Sequence, residues 1–138
     1  MRVLAKAEFQ NPGGRVKDRV AKRIIEDAER DGRLPPGGTI YEGTSGSTGI
    51  SLTMAAMEKG YNASIYMPDD QAKEKSDLLT ALGARVKRVR PVTIGDPDNF
   101  VNMARREAKQ DPKGFFADQF ENPSNFAAHF LGTGKEIL

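Results

Sequence analysis

The sequence predicts an α/β protein: an open parallel sheet of about four strands with helices on both faces. Two observations carry this. Short β-rich runs alternate with segments whose apolar residues recur every three or four positions, the order that a parallel sheet with crossover helices requires. Proline and glycine clusters punctuate the chain between them, and two strand-to-helix junctions are rich in glycine.

Taken in order, "VLAKAEF" (Val3 to Phe9) is expected as the first strand. Val16, Val20 and Ile24 then fall on one stripe, with Ala21, Ile25 and Ala28 beside them, as in an amphipathic helix. "LPPGG" stops that helix, and "TIYEG" is the next strand. From Thr48 to Lys59 the apolar residues lie nearly all round, as expected for a helix packed in the interior. "ASIYMP" is a third strand, and "QAKEKSDLLTALG" is a helix closed by Gly83. "ARVKRVRPV" follows as a fourth strand. Asp96 before Pro97 predicts a helix N-cap with proline at the first helical position, and Phe100, Val101, Ala104 and Ala108 mark the buried face. "GFFADQ" reads as a last short strand or an extended segment. Asn122-Pro123 then starts a final helix that carries Phe126 and Phe130 one turn apart. Because that helix is still running toward Leu138, residues 1–138 are expected to be a single α/β lobe of something larger.

The 138 residues include no cysteine and one histidine, His129, so disulfides, thiolate nucleophiles and Cys/His metal clusters are excluded. With 21 basic against 19 acidic residues the formal charge is +2, which gives no sign of a nucleic-acid partner. Lys87, Arg88 and Arg90 are read as an exposed strand end. No apolar run has the length of a membrane span, and "MRVLAKAEF" has no signal-peptide core. The expected setting is cytoplasmic, with the mitochondrion as the alternative.

The chemistry is concentrated in two loops. In "NPGGRVKDR" (Asn11 to Arg19) two glycines precede a lysine at a helix N-terminus, where the helix dipole disfavours a positive charge. A neutral lysine amine can attack an aldehyde to form a Schiff base, and glycines before it leave room for a flat ring. Lys17 is therefore the candidate nucleophile. In "EGTSGSTG" (Glu42 to Gly49) glycines alternate with hydroxyls at a second helix N-terminus, a cradle for a carboxylate or phosphate. Neither G-x-G-x-x-G nor a Walker loop is present.

These two motifs, with "QFENPSNFAAH" and "GTGKEI" after them in this order, resemble the pyridoxal-phosphate enzymes of the cysteine synthase and cystathionine β-synthase group. The resemblance covers almost the whole chain and implies one lobe of the tryptophan synthase β-like fold. It implies that Lys17 holds pyridoxal phosphate as a Schiff base and later serves as the acid–base group. It further implies that Thr44, Ser45, Gly46 and Thr48 bind the carboxylate of an amino-acid substrate, with Gln119 as a further contact. Ser47 stands where most of the family has an asparagine that contacts the cofactor's ring hydroxyl; serine is found there in a fungal-type branch. Arg15 stands where the family usually has serine. The implied reaction is β-replacement, in which an activated serine such as O-acetylserine loses its leaving group and sulfide takes its place to give cysteine. The family's phosphate-binding loop and the serine at the pyridine nitrogen would lie beyond Leu138.

Two alternatives stand beside this one. Within the family, cystathionine synthesis or serine/threonine deamination would share Lys17. From another class, the chain would be a catalytically silent lobe that forms a homodimer or otherwise self-associates through an exposed surface.

Overall fold

The computed structural model describes residues 1–138. A short 3-10 turn at Glu8–Gln10 is followed by α1 (Lys17–Arg30), β1 (Thr39–Gly43), α2 (Ser47–Glu58), β2 (Asn62–Pro68) and α3 (Lys73–Ala81). Next come β3 (Arg85–Val89), α4 (Phe100–Gln110), β4 (Gly114–Phe116) and α5 (Pro123–Ala128). A π-helical turn at His129–Thr133 carries α5 into the short α6 (Gly134–Ile137). The four strands form one sheet in the order β3-β2-β1-β4, and every neighbouring pair is parallel.

Alternation along the strands builds two apolar layers. Ile40, Ile65, Met67 and Phe115 face one side, where Val20, Ile24 and Ile25 of α1, Leu52 and Ala56 of α2 and Leu79 of α3 complete the main core. Tyr41 and Tyr66 face the other side and pack on Ala104 and Ala108 of α4. The chain steps outward from β1 to β2 and β3, then returns through α4 across the opposite face to place β4 on the other flank of β1. The direction of winding therefore reverses between β1 and β4. In open parallel sheets a crevice for ligands forms at the carboxyl ends of the strands flanking such a reversal.

The expected sheet of about four parallel strands is present, with a different membership. Val3–Phe9 is not a strand: residues 1–7 have no regular structure, and a 3-10 turn begins at Glu8. The segment lies beside no strand edge, and Glu8 is drawn instead to Arg19 (2.9 Å) and Asn11 (2.6 Å). The fourth place in the sheet is taken by "GFF" of β4. The helix expected to start at Asp96-Pro97 starts at Phe100, capped by Asn99, whose side chain accepts from the Val101 N–H at 3.0 Å. Asp96 instead closes a local turn, accepting from the Asp98 N–H at 2.8 Å. The Asn122 cap is as expected, with its side chain accepting from Ser124 N–H and Pro123 in the first turn. Gly83, at φ 99°, follows α3 in the left-handed conformation that glycine tolerates.

The buried Asp27 ties α5 to α1. It accepts from Arg23 at 2.8 Å, Arg30 at 2.7 Å and the Ser124 hydroxyl at 2.7 Å. Burial pushes its carboxyl up, but the hydrogen bonds from Arg23, Ser124 and Arg30 outweigh this and hold it at about 2. This depressed value means that the stabilisation is present above the ordinary value of 3.8 and is lost as pH falls toward 2. Ser124→Ala is expected to lower stability at neutral pH by about 2 kcal/mol, the scale of a hydrogen bond to a charged group, read by urea denaturation.

Candidate active site

The site lies where the sheet reverses, at the carboxyl ends of β1 and β4, and it is closed by the N-termini of α1 and α2. Two glycines let the elements meet. A Cβ on Gly43 would fall 2.5 Å from the Val101 Cα, so α4 can seat on the end of β1 only because residue 43 lacks a side chain. A Cβ on Gly49 would fall 2.8 Å from the Thr44 Cγ2 and 3.3 Å from the Ile65 Cγ2, so α2 can close on the loop only with glycine there. Gly46 differs from both, for no atom would lie within 4 Å of a Cβ at this position.

The loop from Thr44 to Gly46 leads straight into α2, whose N-cap is Gly46 and which has no side-chain cap. Its first backbone N–H groups therefore have no intrahelical partner and are available to an anion. Thr44 is buried, and its Oγ1 accepts from the Gly46 N–H at 3.2 Å. Lys75 reaches the Ser45 carbonyl at 3.4 Å. The hydroxyls of Ser45 and Ser47, both half-buried, are not engaged by other side chains.

The Asn11–Lys17 loop is held against α2 by Asp18. One Asp18 oxygen accepts from the Gly13 N–H and the other from the Ser51 hydroxyl, each at 2.6 Å. Gly14, at φ 69°, closes the turn by donating to the Asn11 carbonyl at 2.7 Å. Arg15 folds back onto the Gly13 carbonyl at 2.6 Å. Lys17 is the first residue of α1, half-buried, and it makes no ion pair. Behind this loop Arg19 grips Glu136 with two bonds of 2.7 and 2.8 Å and Glu8 with a third, and Lys6 also binds Glu136. Hydrogen bonds from Arg19 and Lys6 hold the Glu136 carboxyl down at about 2.

On the β4 side, Asp118 takes up φ 51°, a left-handed conformation that aspartate tolerates, and is steadied by Arg105 at 3.6 Å. The turn brings Gln119 back over the end of β1. The Thr48 hydroxyl donates to the Gln119 Oε1 at 2.6 Å, while the Gln119 backbone N–H and Nε2 donate to Glu42 at 3.2 and 3.4 Å. Glu42 is fully buried, and burial pushes its carboxyl up to about 8 against the opposing pull of bonds from Gln119 and the Gly43 N–H.

A family model described as "Pyridoxal-phosphate dependent enzyme" matches residues 1–138. The chain belongs to this family. It is 55% identical to "Cysteine synthase 2" of Schizosaccharomyces pombe, covering 98% of this chain and 36% of that protein. It is 48% identical to "Cystathionine beta-synthase" of Mus musculus, covering 99% of this chain and 24% of the relative. The solved O-ureido-L-serine synthase shares its fold with a TM-score of 0.88 and 39% identity, over 96% of this chain and 41% of that one. The chain thus spans at most 36% of the length of these two curated relatives.

The residues present fit the family's cofactor. An aldehyde requires an amine free of a fixed carboxylate partner, which Lys17 is, and an anionic group requires free N–H donors, which the start of α2 after the unobstructed Gly46 offers. Thr44, Ser45, Gly46, Ser47 and Thr48 are gathered on one turn, and Gln119 joins them through Thr48. Two participants escaped sequence reasoning. Asp18 looked like an ordinary acid in a first helical turn, and Glu42 like the end of a strand. The available signal was that "TIYEG" places Glu42 on the same face as Ile40, an inward position where a charge needs a partner.

Because the Glu42 value lies above the ordinary 4.5, the folded chain keeps a proton that the unfolded chain releases. The associated stabilisation is full below about pH 4.5 and declines as pH rises toward 8. Denaturation midpoints across that window are expected to fall with pH in the wild type, and Glu42→Gln is expected to flatten the dependence.

Proposed function

We propose that this chain carries the Schiff-base lysine and the substrate-carboxylate loop of a pyridoxal-phosphate-dependent β-replacement enzyme of the cysteine synthase type. The observation that carries the reading is the unpaired Lys17 at the head of α1, whose neighbour Asp18 ties that helix to Ser51 of α2, the helix with the anion-ready N-terminus. The relatives named cysteine synthase, 55% identical in S. pombe and 50% in Dictyostelium discoideum, support the choice of reaction. The substrate is a small amino acid, an activated serine whose β-substituent leaves and is replaced by sulfide.

Pyridoxal phosphate, when bound, supplies an electron sink for charge developing at the substrate Cα. The protein supplies position and protons. Lys17 Nζ would be the group that holds the cofactor at its aldehyde carbon and moves the substrate's Cα proton. Thr44, Ser45, Gly46 and Thr48 bind the substrate carboxylate with N–H and hydroxyl groups at the helix terminus, and Gln119 completes that ring of contacts. Orientation by this loop aligns the Cα–H bond for transfer to the lysine. Ser47 would be the residue offered to the cofactor's ring oxygen. Arg15 donates to the Gly13 carbonyl of the same loop.

A second reading, a silent lobe that self-associates as a homodimer, is favoured by the exposed Phe120, Phe126 and Phe130, the last two stacked at 5.4 Å. One experiment separates the two. Titration with pyridoxal phosphate, borohydride reduction and peptide mapping are expected to place the label on Lys17 alone and to lose it in Lys17→Ala. Labelling spread weakly over many lysines, with elution volume in gel filtration dependent on concentration, would instead support the silent lobe.

A further inference from the structure

Glu42 is the most deeply buried acid of the molecule, and both of its oxygens accept from a single residue. Oε2 takes the Gln119 backbone N–H at 3.2 Å, and Oε1 takes the Gln119 Nε2 at 3.4 Å. On its other side the Gln119 Oε1 accepts the Thr48 hydroxyl proton at 2.6 Å. We propose that Glu42 is a positioning residue of the substrate loop, fixing the orientation of the Gln119 amide and, through it, the hydroxyl of Thr48. The proposal deepens the function given above and rests on it for the loop's role.

The two ends of an amide have nearly the same shape, so its orientation is decided by its partners. Both Glu42 oxygens lie against N–H groups of Gln119, and the Thr48 hydroxyl lies against its Oε1, so the NH₂ end of Gln119 turns to Glu42 and the carbonyl end to Thr48. In its neutral form the carboxyl still offers a carbonyl oxygen on which the amide can be held. Thr48 has one hydroxyl proton and spends it on Gln119, which leaves its backbone N–H as the donor it offers to a bound carboxylate. Gln119 has a second NH₂ proton for the same ligand. Without Glu42 the amide could turn over, and it would then present its carbonyl oxygen where a carboxylate must sit. A bare hydrophobic residue at the same place would fill the space and lose this discrimination. The backbone around Gln119 is held independently, by Asn125 Nδ2 on the Gln119 carbonyl at 2.8 Å and by the turn at Asp118, so Glu42 controls the side chain above all.

Nuclear magnetic resonance of the nitrogen-15-labelled chain, without cofactor, tests the proposal. The Glu42-bonded side-chain proton of Gln119 is expected downfield of those of exposed Gln10. Glu42→Leu should return it to the Gln10 position, and Glu42→Gln, which keeps a carbonyl acceptor of the same shape, should retain most of the displacement. An unmoved resonance in folded Glu42→Leu overturns the proposal. Should that variant fail to fold, Thr48→Val decides: a retained displacement upholds Glu42 as the holder, and its loss transfers the role to Thr48. In the cofactor-loaded chain, Glu42→Leu should raise the half-saturating concentration of O-acetylserine about tenfold, the scale of one net hydrogen bond, with labelling of Lys17 unchanged. Loss of Lys17 labelling in step with the loss of O-acetylserine affinity would reveal a merely structural role and overturn the idea. If wild-type Lys17 takes no label, the function proposed above fails, while the Gln119 resonance still decides what Glu42 does.

Discussion

The parallel pairing of β4 with β1 is the constraint on which the rest of this molecule depends. Three residue pairs, from Thr39 with Gly114 to Tyr41 with Phe116, reverse the winding of the sheet and place the turn after β4 above the end of β1. Had the fourth strand extended the sheet beyond β3, Gln119 would lie far from Thr48, and the carboxyl ends of the strands would form a row without a crevice. The position of β4 follows from α4, which crosses the opposite face and packs on Tyr41 and Tyr66 through Ala104 and Ala108. Small residues on α4 bring it close enough for the return to be short.

Most of this architecture was legible in the sequence because periodicity and punctuation record local requirements. The helix from Lys17, the interior helix through Leu52, the cap at Asn122 and the glycine after α3 all follow from rules that operate within a few residues. What could not be read was set at a distance. Val3–Phe9 alternates like a strand, yet strand formation needs a neighbour, and its acid is held by Arg19 and Asn11 instead. The "GFF" segment is short enough that the sequence left it between a strand and an extended segment, and the open edge of β1 made it a strand. Asp96 lost the cap to Asn99 because both can close a turn and only the packing of α4 selects between them.

The site shows the same division. Lys17 and the Thr44–Thr48 loop stand out as glycine-marked junctions, whereas the side chains that bring them together are ordinary acids in the sequence. Asp18 joins Gly13 to Ser51, and the cluster of Lys6, Glu8, Arg19 and Glu136 fastens the approach to that loop to the last helix. In both cases carboxylates serve as multiple acceptors for donors from different elements, a use that depends on which donors the fold delivers and leaves no local pattern. The result is a loop built of flexible residues but braced from outside itself.

The glycines around the Thr44–Thr48 loop answer to two different constraints. At Gly43 and Gly49 the interior excludes a side chain, since a Cβ would press into α4 at one and into Thr44 at the other. At Gly46 the interior is indifferent, for an added methyl group would project into open space with no neighbour to displace. Packing therefore sets no constraint at this position, and an alanine there would displace nothing in the interior. The loop is thus locked at its roots, Gly43 and Gly49, and unconstrained at its rim, where Gly46 faces solvent.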